Sequence, residues 1–472
     1  MARKKVRKAG GRAQAQRQAV QRQQAKRQQM QRQQMSGKQV ERQQIERERA
    51  KRQQEGQRRE QLLMQQRQEM QERQEMLRRQ QMQMRGEPKQ EGERRKKKAR
   101  RFYDYDLLVV IIFLTAFGLI MIYSSSAYNA QVSGQPSTYY MMRQGGIAVV
   151  GFIMMLIISK IDYHFFAKFA VPAVVVSYIC EFLVTFTPLG IAVNGKKRWL
   201  GTRSLRFQPA ELVKIVMILF LAVVITRLGK RINEWRVWGM LVVLLGPLAL
   251  FVTLNNLSSG IIICGIAFVM MFVACKRKWP FILVVAALIV VIVFAPPVAI
   301  AMGKAGILHS YQLSRILVWK NPEAYPKSGG YQVLQGLYAI GSGGLLGKGL
   351  GQSIQKLSFL PEPQNDMIFA VICEELGLFG AIAVIFMFLF MLYRFLVIAG
   401  NAPDLFGAML VTGVLAHIAI QVVLNIAVVT NVIPNTGITL PFISYGGTSV
   451  LFLMVEMGMV LSVSNRIRLE QA

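Results

Sequence analysis

The sequence predicts an all-α polytopic membrane protein of about ten transmembrane helices, preceded by a basic, disordered tail. Three observations carry that expectation. Of 472 residues, 53% are hydrophobic and only 17% charged. The formal net charge is nevertheless +32. Position reconciles the two figures: 32 Lys/Arg and 11 Asp/Glu precede Phe102, leaving 25 and 14 for the rest of the chain. A helical span needs about 20 consecutive apolar residues, and such runs recur along the body.

Residues 1–101 repeat Gln, Arg and Lys in units such as RQQM and QRQQ, with few β-branched or aromatic residues. Too little apolar surface is present to offset chain entropy, so no packed core is expected there. Met64, Met70, Met76 and Leu77 are too sparse for a heptad seam, which leaves a disordered or transiently helical tail. Arg94 to Lys98, with Arg100 and Arg101, lie just before the first apolar run. Such a cluster is drawn to an anionic inner leaflet at about 1 kcal/mol per basic residue and holds the N-terminus in the cytoplasm. The tail lacks stacking aromatics and any nucleic-acid-binding motif, so no nucleic acid partner is expected. No short apolar stretch of the cleavable-signal type occurs in it, and the first span should act as an uncleaved anchor.

Apolar runs lie near 106–125, 141–160, 166–187, 208–226, 237–254, 258–275, 280–302, 365–397, 404–430 and 442–464. Ten crossings with the N-terminus inside place the C-terminus, residues 467–472, in the cytoplasm as well. The membrane domain then runs from 102 to 466. The loop after the third run is assigned outside, yet it carries Lys196, Lys197, Arg198, Arg203 and Arg206. That departs from the positive-inside tendency. Either an anionic ligand is held there, or the basic tail outweighs the loop. Residues 303–364, between the seventh and eighth runs, form an external connection too long to be a simple linker. Its amphipathic Tyr331, Leu334, Leu337, Tyr338, Ile340 and Leu345 predict a folded cap against the membrane, and its glycines allow close backbone approach.

Ionisable residues inside a bilayer are costly and so become functional candidates. Glu211 and Lys214 stand at i, i+3 on the fourth span and can pair, either as a mutually neutralised couple or as substrate contacts. Glu374, Glu375 and Glu456 are expected to pair between helices. Asp366 follows Pro361, Glu362 and Pro363 at the water interface. There a partly desolvated carboxylate can abstract a proton, although Asn365-Asp366 also reads as a helix cap. Cys180, Cys264, Cys275 and Cys373, and the histidines His164, His309 and His417, are dispersed. Neither a zinc cluster nor a disulfide framework is suggested by their spacing.

Five segments together resemble the SEDS family (shape, elongation, division and sporulation proteins), of the FtsW, RodA and SpoVE type. They are GLIMIYSSS (Gly118–Ser126), NGKKRWLGTRSLRFQPAELVK (Asn194–Lys214), YQVLQGLYAIGSGGLLGKGLGQS (Tyr331–Ser353), LPEPQNDMIFAVICEELGLFG (Leu360–Gly380) and PNTGITLPFISYGGTS (Pro434–Ser449). The resemblance extends from about Tyr103 to Arg466 and leans towards the FtsW/SpoVE branch. It implies a ten-span glycosyltransferase that polymerises lipid II into glycan strands beside a class B penicillin-binding protein, releasing undecaprenyl pyrophosphate. Asp366 matches the family's essential aspartate, while Arg198, Glu211, Lys214 and Glu362 fall on cavity-lining motif positions. The pyrophosphate charge would be met by Lys196, Lys197 and Arg198, or by a bound divalent cation such as Mg or Mn. A lipid II flippase is the alternative reading. Two departures stand out. Asn255-Asn256-Leu257-Ser258-Ser259-Gly260 replaces a Gln-Pro-Asp-Leu-Gly run of many relatives, and Thr436 stands where several division-type members have Lys.

Overall fold

The structure, a computed structural model, describes residues 64–66, 69–77, 103–193, 196–201, 206–304 and 311–468. The chain divides into two units, 1–98 and 99–472. In the first, residues 64–66 and 69–77 are helical and exposed. The remainder of the expected disordered tail, with its Arg94–Lys98 cluster, lies outside the described residues.

In the second unit each of the ten apolar runs falls on a helix. These are α1 (Tyr105–Val132), α2 (Tyr139–Lys160), α4 (Ala170–Phe186), α5 (Pro209–Leu228), α6 (Trp235–Asn255), α7 (Leu257–Ala274), α8 (Trp279–Lys304), α11 (Ile368–Gly400), α12 (Leu405–Val429) and α13 (Thr448–Ser464). A short α3 (Tyr163–Ala167) precedes α4, and α9 (Tyr311–Lys320) and α10 (Gly330–Gly343) lie between α8 and α11. Among the described residues, eight helices are long and apolar enough to cross a membrane, whereas α4 and α13 are shorter apolar helices of 17 residues each. The core is built around α5 and α12, which pack against each other and against α7. Outward faces of α1, α2, α6 and α8 remain apolar and exposed, as lipid-facing surfaces require.

The sequence reading needs three refinements. The fold is not wholly helical: β1 (Gly190–Val193), β2 (Lys196–Gly201) and β3 (Arg206–Phe207) form a three-stranded antiparallel ribbon in the basic loop. The last apolar run begins too early, because residues 434–447 are an irregular loop before α13. Leu440, Phe442 and Ile443 are apolar there because they are buried in protein rather than in lipid. Gly118 of α1 makes room for this loop, since a Cβ there would stand 2.5 Å from the Phe442 carbonyl oxygen. The long eighth run is broken at Gly377 (φ 67°, ψ −163°), separating a short arm, 368–376, from the main part of α11.

Buried charges act as fasteners between elements. Glu374 accepts from Lys348 Nζ (2.7 Å), Ser353 Oγ (2.5 Å) and the Ile354 amide (3.1 Å). Glu375 accepts from Lys356 Nζ (2.7 Å), Ser124 Oγ (2.6 Å) and the Gly351 amide (3.0 Å). Both glutamates therefore pair with the 345–366 connection, and not chiefly with another span as the sequence suggested. At the far end of the same two helices, Asp104 caps α1 through the Leu107 amide (2.9 Å) and binds Arg394 of α11 (2.8 Å). Asp104 and Ser124 are 20 positions apart, and Glu375 and Arg394 are 19. At about 1.5 Å per helical residue, the α1 separation approaches the roughly 30 Å of a hydrocarbon core. The two clasps thus bracket a length of α1 that matches an apolar slab.

Removing one partner of a buried pair leaves an uncompensated charge, at a cost of about 3–5 kcal/mol. Glu375→Ala, which strands the buried Lys356, is expected to lower unfolding stability by about that amount. Glu375→Leu combined with Lys356→Met is expected to lower it far less, as thermal unfolding in detergent would measure.

Candidate functional site

Asp366 lies two residues before α11, on the connection stiffened by Pro361 and Pro363, and its side chain is only 9% exposed. Four segments meet around it. From α10, Gln332 Nε2 approaches Asp366 Oδ1 at 3.5 Å. From the 434–447 loop, Asn435 Nδ2 donates to Gln332 Oε1 (3.2 Å), and a Cβ on Gly437 would lie 3.8 Å from Asp366 Oδ2. From α9, Arg315 Nη1 donates to the Asn435 carbonyl (2.8 Å). From α12, Asn425 Nδ2 donates to the carbonyls of Asp366 (2.9 Å) and Ile438 (2.7 Å). Gly437 has φ +70°, the left-handed region that glycine tolerates.

Burial pushes the Asp366 carboxyl up to about 7, and the neighbouring Glu362 charge adds to the rise. Arg315 and Gln332 pull in the opposite direction without cancelling it. The group is therefore neutral below about pH 7 and ionised above it, which suits a base working near neutrality. Glu362 itself has φ 47° and accepts from Asn365 Nδ2 (2.9 Å), an arrangement that turns Asn365 away from a helix-capping role.

The other sequence candidates separate into two groups. Glu211 Oε2 meets Lys214 Nζ at 2.9 Å and accepts from Ser449 Oγ of α13 at 2.9 Å. Lys214 Nζ also reaches Gln421 Oε1 (3.4 Å), which joins His417 Nε2 (2.9 Å), whose Nδ1 meets Glu456 (2.8 Å). Since Gln421 Nε2 donates to the Thr439 carbonyl (3.0 Å), its Oε1 must accept from both Lys214 and His417. His417 thus carries a proton on Nε2, and the Glu456–His417 contact needs a second one.

Lys197 and Arg198 stand on the ribbon. Lys197 Nζ donates to the Thr187 carbonyl at the end of α4 (3.1 Å), and Arg198 Nε donates to the Asn255 carbonyl that ends α6 (3.0 Å). Cations at helix C-termini offset unsatisfied carbonyls and the negative end of the helix dipole. Part of the loop's positive charge therefore has a structural use. The Lys196 side chain and Arg203 lie outside the described residues. The α6–α7 junction reaches the 434–447 loop through Ser258 Oγ, which donates to the Thr436 carbonyl. Among the described residues no three His, Cys, Asp or Glu side chains gather as a metal site, and the four cysteines are free.

Gln332, Arg315, Asn425 and Asn435 were not singled out by sequence. The amides carry no charge signal, and Arg315 lies in a connection whose tertiary contacts no local pattern reveals.

Apolar helices around a buried polar centre, with one carboxylate held among four segments, define a polytopic membrane protein with a site at one end of its bundle. The chain belongs to the FtsW/RodA/SpoVE family, described as cell cycle proteins, whose sequence profile matches residues 105–469. It is 38% identical to stage V sporulation protein E of Bacillus subtilis over 365 residues, covering 76% of this chain and 96% of that protein. It is 35% identical to a probable peptidoglycan glycosyltransferase FtsW of Trichlorobacter lovleyi, covering 78% of this chain and 94% of that protein. A solved chain from work on coordination of polymerization and crosslinking by a peptidoglycan synthase complex superposes with TM-score 0.63 at 26% identity, covering 78% of this chain and 99% of its own. The rod shape determining protein RodA of Thermus thermophilus shares the fold, with TM-score 0.56 at 24% identity over 78% of this chain and 98% of its own.

An infrared carboxyl band that titrates near pH 7 and vanishes in Asp366→Asn is the expected signature of this site. In Glu362→Gln the band should titrate at lower pH, because a neighbouring negative charge has been removed.

Proposed function

We propose that this chain is a peptidoglycan glycosyltransferase that polymerises lipid II, with Asp366 as its general base. The observation that carries the reading is a buried carboxylate, raised to about 7, where the 434–447 loop, α10 and α11 converge. The names of the FtsW relatives support the activity.

All ten apolar helices cross the bilayer in this reading, with both termini cytoplasmic and Asp366 on the outer face beneath the 303–364 cap. The Asp366 carboxylate takes the proton from an acceptor sugar hydroxyl. The resulting oxygen attacks the anomeric carbon of the lipid-linked growing chain, with inversion. The bond to the pyrophosphate breaks, and undecaprenyl pyrophosphate departs with the electron pair. In this reading Lys196, Lys197 and Arg198, or a bound divalent cation, stabilise the charge that accumulates on the leaving group. The Glu211–Lys214 pair stands behind that region as part of the polar centre. A class B penicillin-binding protein, which crosslinks the strands, is the partner; the solved synthase complex supports that pairing.

A flippase would need a polar path through the whole membrane. On α12 the polar stripe Asn425, Gln421, His417 continues towards the other end as Gly413, Leu410 and Phe406, all buried. A Cβ on Gly413 would press on Ile218 (2.5 Å) and Met270 (2.9 Å). The described polar stripe therefore stops partway, which favours chemistry at one face over passage.

Purified chain with its partner transpeptidase is expected to polymerise lipid II. Asp366→Asn should lower the turnover by about 10²–10⁴-fold while leaving expression and complex formation intact. Undiminished polymerisation by that variant would remove Asp366 from the role, and lipid translocation without polymerisation would favour the flippase. Deleting residues 1–90 should leave polymerisation in detergent unchanged, and loss of in-vitro activity would assign the tail a catalytic part.

A further inference from the structure

The break in α11 at Gly377 disconnects two backbone pairs. In an unbroken helix the Leu378 amide would bond to the Glu374 carbonyl, and the Phe379 amide to the Glu375 carbonyl. Instead the Lys348 and Gly349 amides take those carbonyls (3.0 and 2.9 Å), and the Gly344 and Leu345 carbonyls receive the Leu378 and Phe379 amides (2.9 and 3.2 Å). The turn between α10 and the 350–366 stretch is thus laced into the broken helix, and all four groups are paired. Only glycines allow such an approach. A Cβ on Gly347 would stand 2.2 Å from the Glu375 carbonyl oxygen, and one on Gly377 would stand 2.4 Å from the Gly347 amide nitrogen.

Depth follows from the same contacts. The Ser124–Glu375 clasp closes one end of the bracketed length of α1. Phe379, bonded to Leu345, is the second residue past the break at Gly377, on the Arg394 side of that clasp. At this level Leu345 is 63% exposed and Leu346 79% exposed. They adjoin Phe379, which opens the exposed stripe Phe379, Ile382, Phe386 and Leu389 on the outward side of α11. Irregular backbone near the membrane needs its polar groups paired or covered by protein; here the laced pairs, with the Gly347 amide on the Gly343 carbonyl (2.9 Å), supply partners on the side facing α11.

We propose that the 344–349 turn is inserted into the leaflet on the Asp366 side, with Leu345 and Leu346 in contact with phospholipid acyl chains. The turn is a membrane anchor for the cap. It joins α10, which carries Gln332, to the arm that follows Asp366, and so it fixes the height of the carboxylate above the bilayer. The lipid contact itself does not depend on the glycosyltransferase reading.

The test places the photoreactive residue p-benzoylphenylalanine in place of Leu346, in the full chain reconstituted in phosphatidylethanolamine–phosphatidylglycerol vesicles. Separate samples carry it in place of Phe386, as a lipid-facing reference, and in place of the exposed Lys327. After irradiation, mass spectrometry is expected to find phospholipid adducts at 346 as abundant as at 386. Lipid adducts no more abundant than at 327 would overturn the proposal. So would adducts dominated by crosslinks to a second protein chain, since they would show a protein occupant. Position 346 points outward, so the replacement disturbs no buried contact, and retention of the unfolding temperature confirms that the fold survives.

Discussion

The site depends on an irregular stretch of backbone, residues 434–447, being held inside a bundle of apolar helices. Backbone amides and carbonyls there have no helix to join and little water to bind, and each unsatisfied one is costly. Side-chain amides meet much of that demand. Asn425 holds the Ile438 carbonyl and Gln421 the Thr439 carbonyl, while Gln144 of α2 accepts from the Gly447 amide and approaches the Ser444 carbonyl. The loop in turn holds the Gln364 carbonyl through the Tyr445 amide. Asp366 is thereby positioned through its backbone, by Asn425 and the loop, more firmly than through its carboxylate. The proposed role as a base requires that division, since its oxygens must stay available to the acceptor.

A second layer of order comes from charges placed in pairs. Glu374 and Glu375 look from the sequence like adjacent liabilities within a span. Each instead receives a lysine from the connection that precedes α11, so the glutamates secure the segment leading to Asp366. The Glu211–Lys214 and Glu456–His417 pairs, bridged by Gln421, join three helices by the same means. Low dielectric makes each intact pair strong and each broken one expensive.

The helices were legible because lipid imposes a requirement that is local in sequence: about 20 apolar residues in a row. Asp366 stands out in the sequence for a related reason, as a carboxylate at the edge of such a run. Apolar character alone could not distinguish burial in lipid from burial in protein, which is why Phe442 and Ile443 read as the start of α13. Pairings across long sequence separations were equally hidden. His417 gives no sign of Glu456, 39 positions away, until two helices are packed. The five cations near the ribbon read either as an anion site or as charge outweighed by the tail, and Lys197 and Arg198 have carbonyls at helix ends as partners. That use becomes visible only once the helices have ends in space.

The paired clasps between α1 and α11 have a bearing on the membrane itself. With Asp104–Arg394 at one end and Ser124–Glu375–Lys356 at the other, the apolar height between them cannot be shortened without dragging charge inward. A helix pair free to tilt could accommodate hydrophobic mismatch, but this pair is pinned at both ends. A thicker bilayer would have to thin locally around the protein, at a fraction of a kcal/mol for each ångström. Mismatch between bilayer and protein is then met by the lipid more than by sliding of α1 against α11.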